Sequence, residues 1–254
     1  MSEPKISYII ATRDRADLIG ETILSLIQQD EADWEAIIVD DHGTDKTEEI
    51  IKNFHDQRLV YLKLGDSNGR GASCARNLAA IWAKAPIIAI TDSDDILYPN
   101  RTSETLKAFR DNPEIEVFYS DFDIWDVASG EVRSRKTPVS DYSFEKMKAD
   151  HFIPHITVAM KKQLLLDNPY NQYFRMAEDY DILSRLAVQG RKFYFCKKKL
   201  MKYRLGINNM SIGKERKTIV DLYGQMAKMA RGFIPFGLEV AKQIQEFENQ
   251  RSKK

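Results

Sequence analysis

Ile87-Ile88-Ala89-Ile90-Thr91-Asp92-Ser93-Asp94-Asp95 sets an apolar run of strand length directly before a cluster of acids. A buried strand ending in carboxylates puts them at the C-terminal edge of its sheet, where open α/β sheets bind ligands. Asp92, Asp94 and Asp95 repel one another unless a cation or a set of donors compensates. That cost points to a hard divalent metal, Mg²⁺ or Mn²⁺, held together with phosphate oxygens. The competing reading is local: Asp92 or Asp94 caps the helix that follows, and Asp95 is solvated.

The flanks favour the first reading, because short β-branched runs alternate with amphipathic stretches on both sides. Strands are predicted at Ile6 to Ala11, Ala36 to Val39, Val60 to Leu64, Ile87 to Ile90 and Val117 to Ser120. Helices are predicted between them at about Asp17 to Gln29, Asp45 to Phe54 (capped by Thr44 or Asp45), Gly71 to Ala83 and Asn100 to Arg110. Beyond Val127 the pattern is less regular. It holds a polar stretch to Tyr142, an apolar segment at Thr157 to Met160 and a helix from Asp179 to Gln189 ended by Gly190. Two short strands follow, Lys192 to Phe195 and Leu200 to Tyr203, and then a helical tail broken near Gly232 to Pro235.

The 254 residues suit one large α/β domain, and 43% hydrophobic with 30% charged residues is ordinary for a globular chain. Lys plus Arg and Asp plus Glu are both 38, so no overall basic excess drives nucleic-acid binding and any anion site is local. No apolar run reaches membrane-spanning length, and Met1 to Ser7 has no signal-peptide pattern, so the expected location is cytoplasmic. Cys74 and Cys196 lie far apart and read as reduced thiols.

Polar residues recur at the strand ends: Thr12-Arg13-Asp14, Asp40-Asp41-His42-Gly43-Thr44-Asp45, Asn68-Gly69-Arg70-Gly71 with Ala75-Arg76-Asn77, and Asp92-Ser93-Asp94-Asp95. In this order they resemble the nucleotide-sugar half of family 2 glycosyltransferases, over about residues 5 to 125, and further marks extend the likeness to about 211. His42 departs from the family, which usually has Gly after the acids, and is read as a turn residue. The resemblance implies a GT-A fold: a Rossmann-like, mostly parallel sheet with helices on both faces, here with a C-terminal helical extension. The catalytic domain is expected over 1–213, with a nucleotide-sugar half of about 1–125 and an acceptor half of about 126–213, and the extension over 214–254.

Asp41 can accept the imide N–H of a pyrimidine, or cap the helix near Thr44. Thr12 can fix the same ring, while Arg13 and Asp14 pair on their loop. The glycines around Asn68 let backbone approach a ligand ahead of a helix N-terminus suited to phosphate, and Arg76 on that helix can bind a diphosphate or a base carbonyl. The resemblance implies that Asp92 faces the ribose beside Ser93, that Asp94 holds the metal and that Asp95 supports them. It also implies that Asp179, at a helix start, is the general base of an inverting transfer, with Glu178 beside it to orient it or to bind the acceptor. The helix dipole alone also explains acids there. Tyr203-Arg204-Leu205-Gly206 resembles the family's closing Tyr-Arg-x-His, with Gly206 in place of His, so Asn208, Asn209 or Ser211 are its candidate substitutes. His155 is a candidate for the acceptor side or for a structural role.

The expected partners are thus a nucleotide-diphosphate sugar, a UDP-sugar first, and a saccharide or lipid-linked acceptor, with no nucleic acid. The C-terminal helices around Met226 to Leu238 offer a peripheral membrane contact or a homo-oligomer interface. Two other functions fit fewer of these residues: an inactive nucleotide-sugar-binding subunit and a sugar-phosphate nucleotidyltransferase.

Overall fold

A computed structural model describes residues 3–65, 70–134, 141–149, 152–172, 174 and 177–206. The predicted C-terminal helices and Asn68, Asn208, Asn209 and Ser211 lie outside these residues.

The N-terminal half follows the predicted alternation. β1 (Ile6–Thr12), β2 (Trp34–Asp40), β3 (Leu59–Lys63) and β4 (Ile87–Ile90) are joined by α1 (Ile19–Ile27), α2 (Thr47–Asn53) and α3 (Ala72–Trp82). A two-residue strand β5 (Ile96–Leu97), α4 (Arg101–Asp111), β6 (Val117–Asp126) and β7 (Val132–Ser134) come next. The remainder holds α5 (Phe144–Ala149), a 3₁₀ turn at His155–Thr157, β8 (Ala159–Lys161), α6 (Lys162–Asp167), α7 (Glu178–Val188) and β9 (Phe193–Leu205).

The strands form one sheet in the order β3-β2-β1-β4-β8-β6-β9-β5, with β7 paired to the outer part of β6. β1 runs parallel to β2 and β4, and β2 to β3, so their C-termini share one edge. The second half adds antiparallel pairings of β8 with β4 and β6 and of β5 with β9, so the sheet is mixed beyond its parallel N-terminal part. The α/β class with helices on both faces stands as expected.

Both faces of β1, β2 and β4 are buried, as near-continuous apolar runs require. Ile9, Ile37, Val39, Ile88 and Ile90 point to one side, against Ala75, Ala79 and Ala80 of α3 and the α7 residues Ile182, Leu183 and Leu186. Ile6, Tyr8, Ile10 and Ile38 point to the other, against Ile19, Ile23 and Leu26 of α1 and Ala108 and Phe109 of α4. At about 1.5–3 kcal/mol for each fully buried large aliphatic side chain, these two layers hold the strand ends at fixed spacing.

Three expectations are corrected. The two strands predicted between Lys192 and Tyr203 are one strand, because the backbone keeps pairing with β6 through register shifts between Ser120 and Asp123. β6 runs on to Asp126, and β7 occupies part of the stretch read as polar loop, where alternation is too short to register. α1 is shorter at both ends than its amphipathic pattern. Both cysteines are free thiols, and burial pushes that of Cys196 up. Among the described residues no helix is long and apolar enough to cross a membrane.

Candidate functional site

The shared C-terminal edge of β1, β2 and β4 gathers Thr12, Asp41 and the acid loop Asp92–Asp95. The turn after β2 is tightly built. Asp40 accepts hydrogen bonds from the Gly43 N–H at 2.6 Å and the Tyr61 hydroxyl at 2.8 Å. A Cβ on Gly43 would stand 2.8 Å from Asp40 Oδ1, so a side chain there would have to displace the Asp40 carboxylate. His42 has φ +63°, which explains both its turn role and the glycine usual there. Asp45, not Asp41, serves the start of α2, accepting the Thr47 N–H at 2.9 Å.

That leaves Asp41 for the neighbouring loop. Its two carboxylate oxygens accept the backbone N–H groups of Arg70, at 2.6 Å, and Gly71, at 2.8 Å. Gly71, at φ +87°, opens α3 from a conformation that side chains avoid. The Thr12 hydroxyl is buried with no hydrogen-bond partner among the described residues, and the Thr12 carbonyl accepts the Asp41 N–H at 2.8 Å. Ser93 is buried in the acid loop.

Asp92, Asp94 and Asp95 each offer a carboxylate oxygen within 4.8 Å of the other two. An all-oxygen, anionic donor set suits a hard divalent cation. Asp95 is fully buried: Oδ1 accepts the Arg204 N–H at 2.9 Å and Oδ2 has no partner among the described residues. Burial, then the charges of Asp92 and Asp94, holds its carboxyl well above the usual range. Burial and Asp92 also raise Asp94, against the pull of Arg15, whose Nε lies 3.8 Å from Asp94 Oδ2.

Arg76, on α3, joins this loop to the second half of the chain. Its Nη2 donates to Asp92 Oδ1 and its Nη1 to Glu178 Oε1, each at 2.8 Å. Burial opposes its charge, but the two carboxylates outweigh that and raise its pKa. Beneath it lies Tyr170, whose hydroxyl is 2.8 Å from His155 Nε2. His155 is itself buried.

α7 opens from Ala177 at φ +58°, a left-handed conformation of the kind that collects at functional sites. The acids of its first turn have different partners. Glu178 takes Arg76, Asp181 is fully buried against Arg185 Nε at 3.0 Å, and Asp179, half-buried, accepts the Tyr180 N–H at 2.8 Å. Burial and Asp179 push the Glu178 carboxyl up, with Arg76 opposing. The Arg76 bridge thus sets Glu178 beside the acid loop, with Asp179 next in sequence. Sequence reasoning passed over Arg15, Tyr170 and the role of Arg204. Only Arg204, in the Tyr-Arg segment, carried any signal.

The model of glycosyl transferase family 2 matches residues 7–167, which contain every strand end described above except that of β9. The chain is a family 2 glycosyltransferase. This glycosyltransferase is 32% identical over 213 residues to the uncharacterized glycosyltransferase MJ1057 of Methanocaldococcus jannaschii, covering 81% of this chain and 72% of that one. It is 27% identical over 215 residues to the UDP-Glc:alpha-D-GlcNAc-diphosphoundecaprenol beta-1,3-glucosyltransferase WfgD of Escherichia coli, covering 84% and 82%. Among solved structures it resembles the mannosyltransferase PcManGT of Pyrobaculum calidifontis in complex with GDP-Man and Mn²⁺, with TM-score 0.68, 18% identity and coverage of 98% of this chain and 70% of that one. S. aureus TarS in complex with UDP gives TM-score 0.65 at 19% identity, covering 98% and 72%. These two likenesses establish the GT-A fold.

Proposed function

We propose that this glycosyltransferase moves one sugar, with inversion, from a UDP-sugar to a hydroxyl of a saccharide or lipid-linked acceptor, with Mn²⁺ or Mg²⁺. The observation that carries the reading is the Asp92–Arg76–Glu178 bridge, which sets the acid loop beside the start of α7, where Asp179 stands. A donor-side acid and a base must flank one reacting carbon for displacement from the opposite face. The WfgD relative supports a UDP donor and a diphospholipid acceptor by its name, and the PcManGT complex supports the metal.

Thr12 and Asp41 take the base, Asn68 and Ser93 line the donor, and Asp92 faces the ribose. Asp94 is the metal ligand, with Asp95 beneath it. A bound divalent ion supplies charge neutralisation to the departing diphosphate. Asp179 accepts the proton of the acceptor hydroxyl as its oxygen attacks, and Arg76 and Glu178 hold that end of α7 in register. A second reading, a nucleotide-sugar-binding subunit without turnover, draws on Gly206 standing where the family has His.

The test is calorimetric titration with UDP, GDP, dTDP and CDP, each with Mn²⁺ and with chelator. Binding of UDP in Mn²⁺ only is expected, and Asp94→Ala abolishes that metal dependence. Asp179→Asn keeps donor affinity and loses transfer by about 10²-fold or more. A transfer rate within a few-fold of the parent removes Asp179 as the base, and binding of no nucleotide removes the donor site.

A further inference from the structure

We infer that Arg204 is a positioning residue that fixes the backbone of the acid loop from the end of β9, so that Asp94 presents its carboxylate to the divalent ion. This rests on the metal role proposed above for Asp94.

Arg204 sits near the end of β9 and meets the loop at two points. Its backbone N–H donates to Asp95 Oδ1 at 2.9 Å, and its Nε donates to the carbonyl oxygen of Asp94 at 2.7 Å. Two further contacts hold the guanidinium: Nη2 donates to Glu21 Oε2 on α1 at 2.8 Å, and the Trp125 ring lies 4.4 Å from Cζ. The Arg204 side chain is 7% exposed.

A buried guanidinium whose Nε is spent on a main-chain carbonyl does more than balance charge. It fixes the Asp94–Asp95 peptide plane, while the Asp94 carboxylate stays 21% exposed with Arg15 only at 3.8 Å. The carbonyl is held and the carboxylate is left outward, the arrangement that a metal ligand needs. The planar fork is essential, because a lysine ammonium cannot serve Asp94 and Glu21 along two fixed directions. Groups that orient metal ligands in this way typically change metal affinity when removed, even without touching the ion.

The test uses the full chain and reads Mn²⁺ uptake from the loss of the free-ion EPR signal, in the presence of whichever of UDP, GDP, dTDP and CDP the parent binds. Arg204→Gln is expected to weaken Mn²⁺ binding about tenfold or more, with Arg204→Lys between it and the parent. Glu21→Gln, which loses only the half-exposed outer pair, is expected to stay within about twofold. Melting temperature is recorded alongside. A lowered melting temperature with unchanged Mn²⁺ affinity of the folded protein means a merely structural arginine and overturns the inference. Should Arg204→Gln fail to fold, Arg204→Lys decides: parental Mn²⁺ affinity overturns the inference, and weakened affinity supports it. A parent that takes up no Mn²⁺ with any of the four nucleotides overturns the metal reading and this inference together, whereas parent binding with unaltered variants overturns the inference alone.

Discussion

Asp95 is a carboxyl whose charge is opposed more than it is supported: it is wholly buried, Oδ2 has no partner among the described residues and two acids stand beside it, while the Arg204 N–H alone is bonded to Oδ1. Its folded-state pKa lies above the ordinary 3.8, raised by burial and then by Asp92 and Asp94. Its contribution to stability is therefore complete below that ordinary value and is lost as pH rises through the raised one. In chelator, urea unfolding from about pH 4 to 8 should show stability falling with pH, less steeply in Asp95→Asn. The slope that remains comes from Asp94 and Glu178, which are raised in the same sense. An identical slope in Asp95→Asn would assign none of it to this residue. His42 bears a different cost, since φ +63° is unfavourable for a side chain. His42→Gly should raise the melting temperature by about 2–4 °C, close to 1 kcal/mol after the glycine entropy cost. Residue chemistry made the acid loop legible, because clustered carboxylates after a strand have few structural uses. Arg15 stayed hidden because arginine is common on surfaces, and the Tyr-Arg segment marked Arg204 without showing which loop it meets.

Among the elements, β1, β2 and β4 were readable because both of their faces are buried, which writes itself as continuous apolar runs. α5, α6 and β7 were not, since six or three residues hold too little periodicity to register. Pairing also hid β9: its partner β6 absorbs a register shift that looks like an interruption in the sequence. The link between α3 and α7 is equally invisible one-dimensionally, since Arg76 and Glu178 are 102 positions apart. Arg76→Met should cost about 3 kcal/mol, because it strands the nearly buried Glu178 carboxylate and leaves Asp92 unpaired. Arg76→Met combined with Glu178→Gln should cost clearly less than the sum of the two single changes, as measured by denaturant unfolding. Additive losses would mean that the two helices are not joined through this pair.

For the molecule as a whole, the α/β class and the parallel half followed from the strand–helix alternation, whereas the return of β8 and β9 into the sheet did not. Order across a sheet is set by which buried faces match in three dimensions, and β8 carries only three residues to say so. Because the proposed donor edge draws on β1, β2, β4, α3 and α7 together, occupancy should stabilise the entire domain. With Mn²⁺ and UDP at about a hundred times the dissociation constant, linkage adds about 2.7 kcal/mol, or roughly 5–11 °C in melting temperature. Asp94→Ala should show none of that metal-dependent shift, and a shift equal to the parent's would place the ion elsewhere.

The bond from the Arg204 N–H to Asp95 spans 109 positions of sequence. The acid loop thus leaves the ribosome long before the strand that secures it. Contacts of such separation close late in folding, after the local strand–helix units have formed. A nascent chain halted before β9 would hold its acids without the clasp, so the cation uptake proposed for this loop would have to wait until β9 has been made.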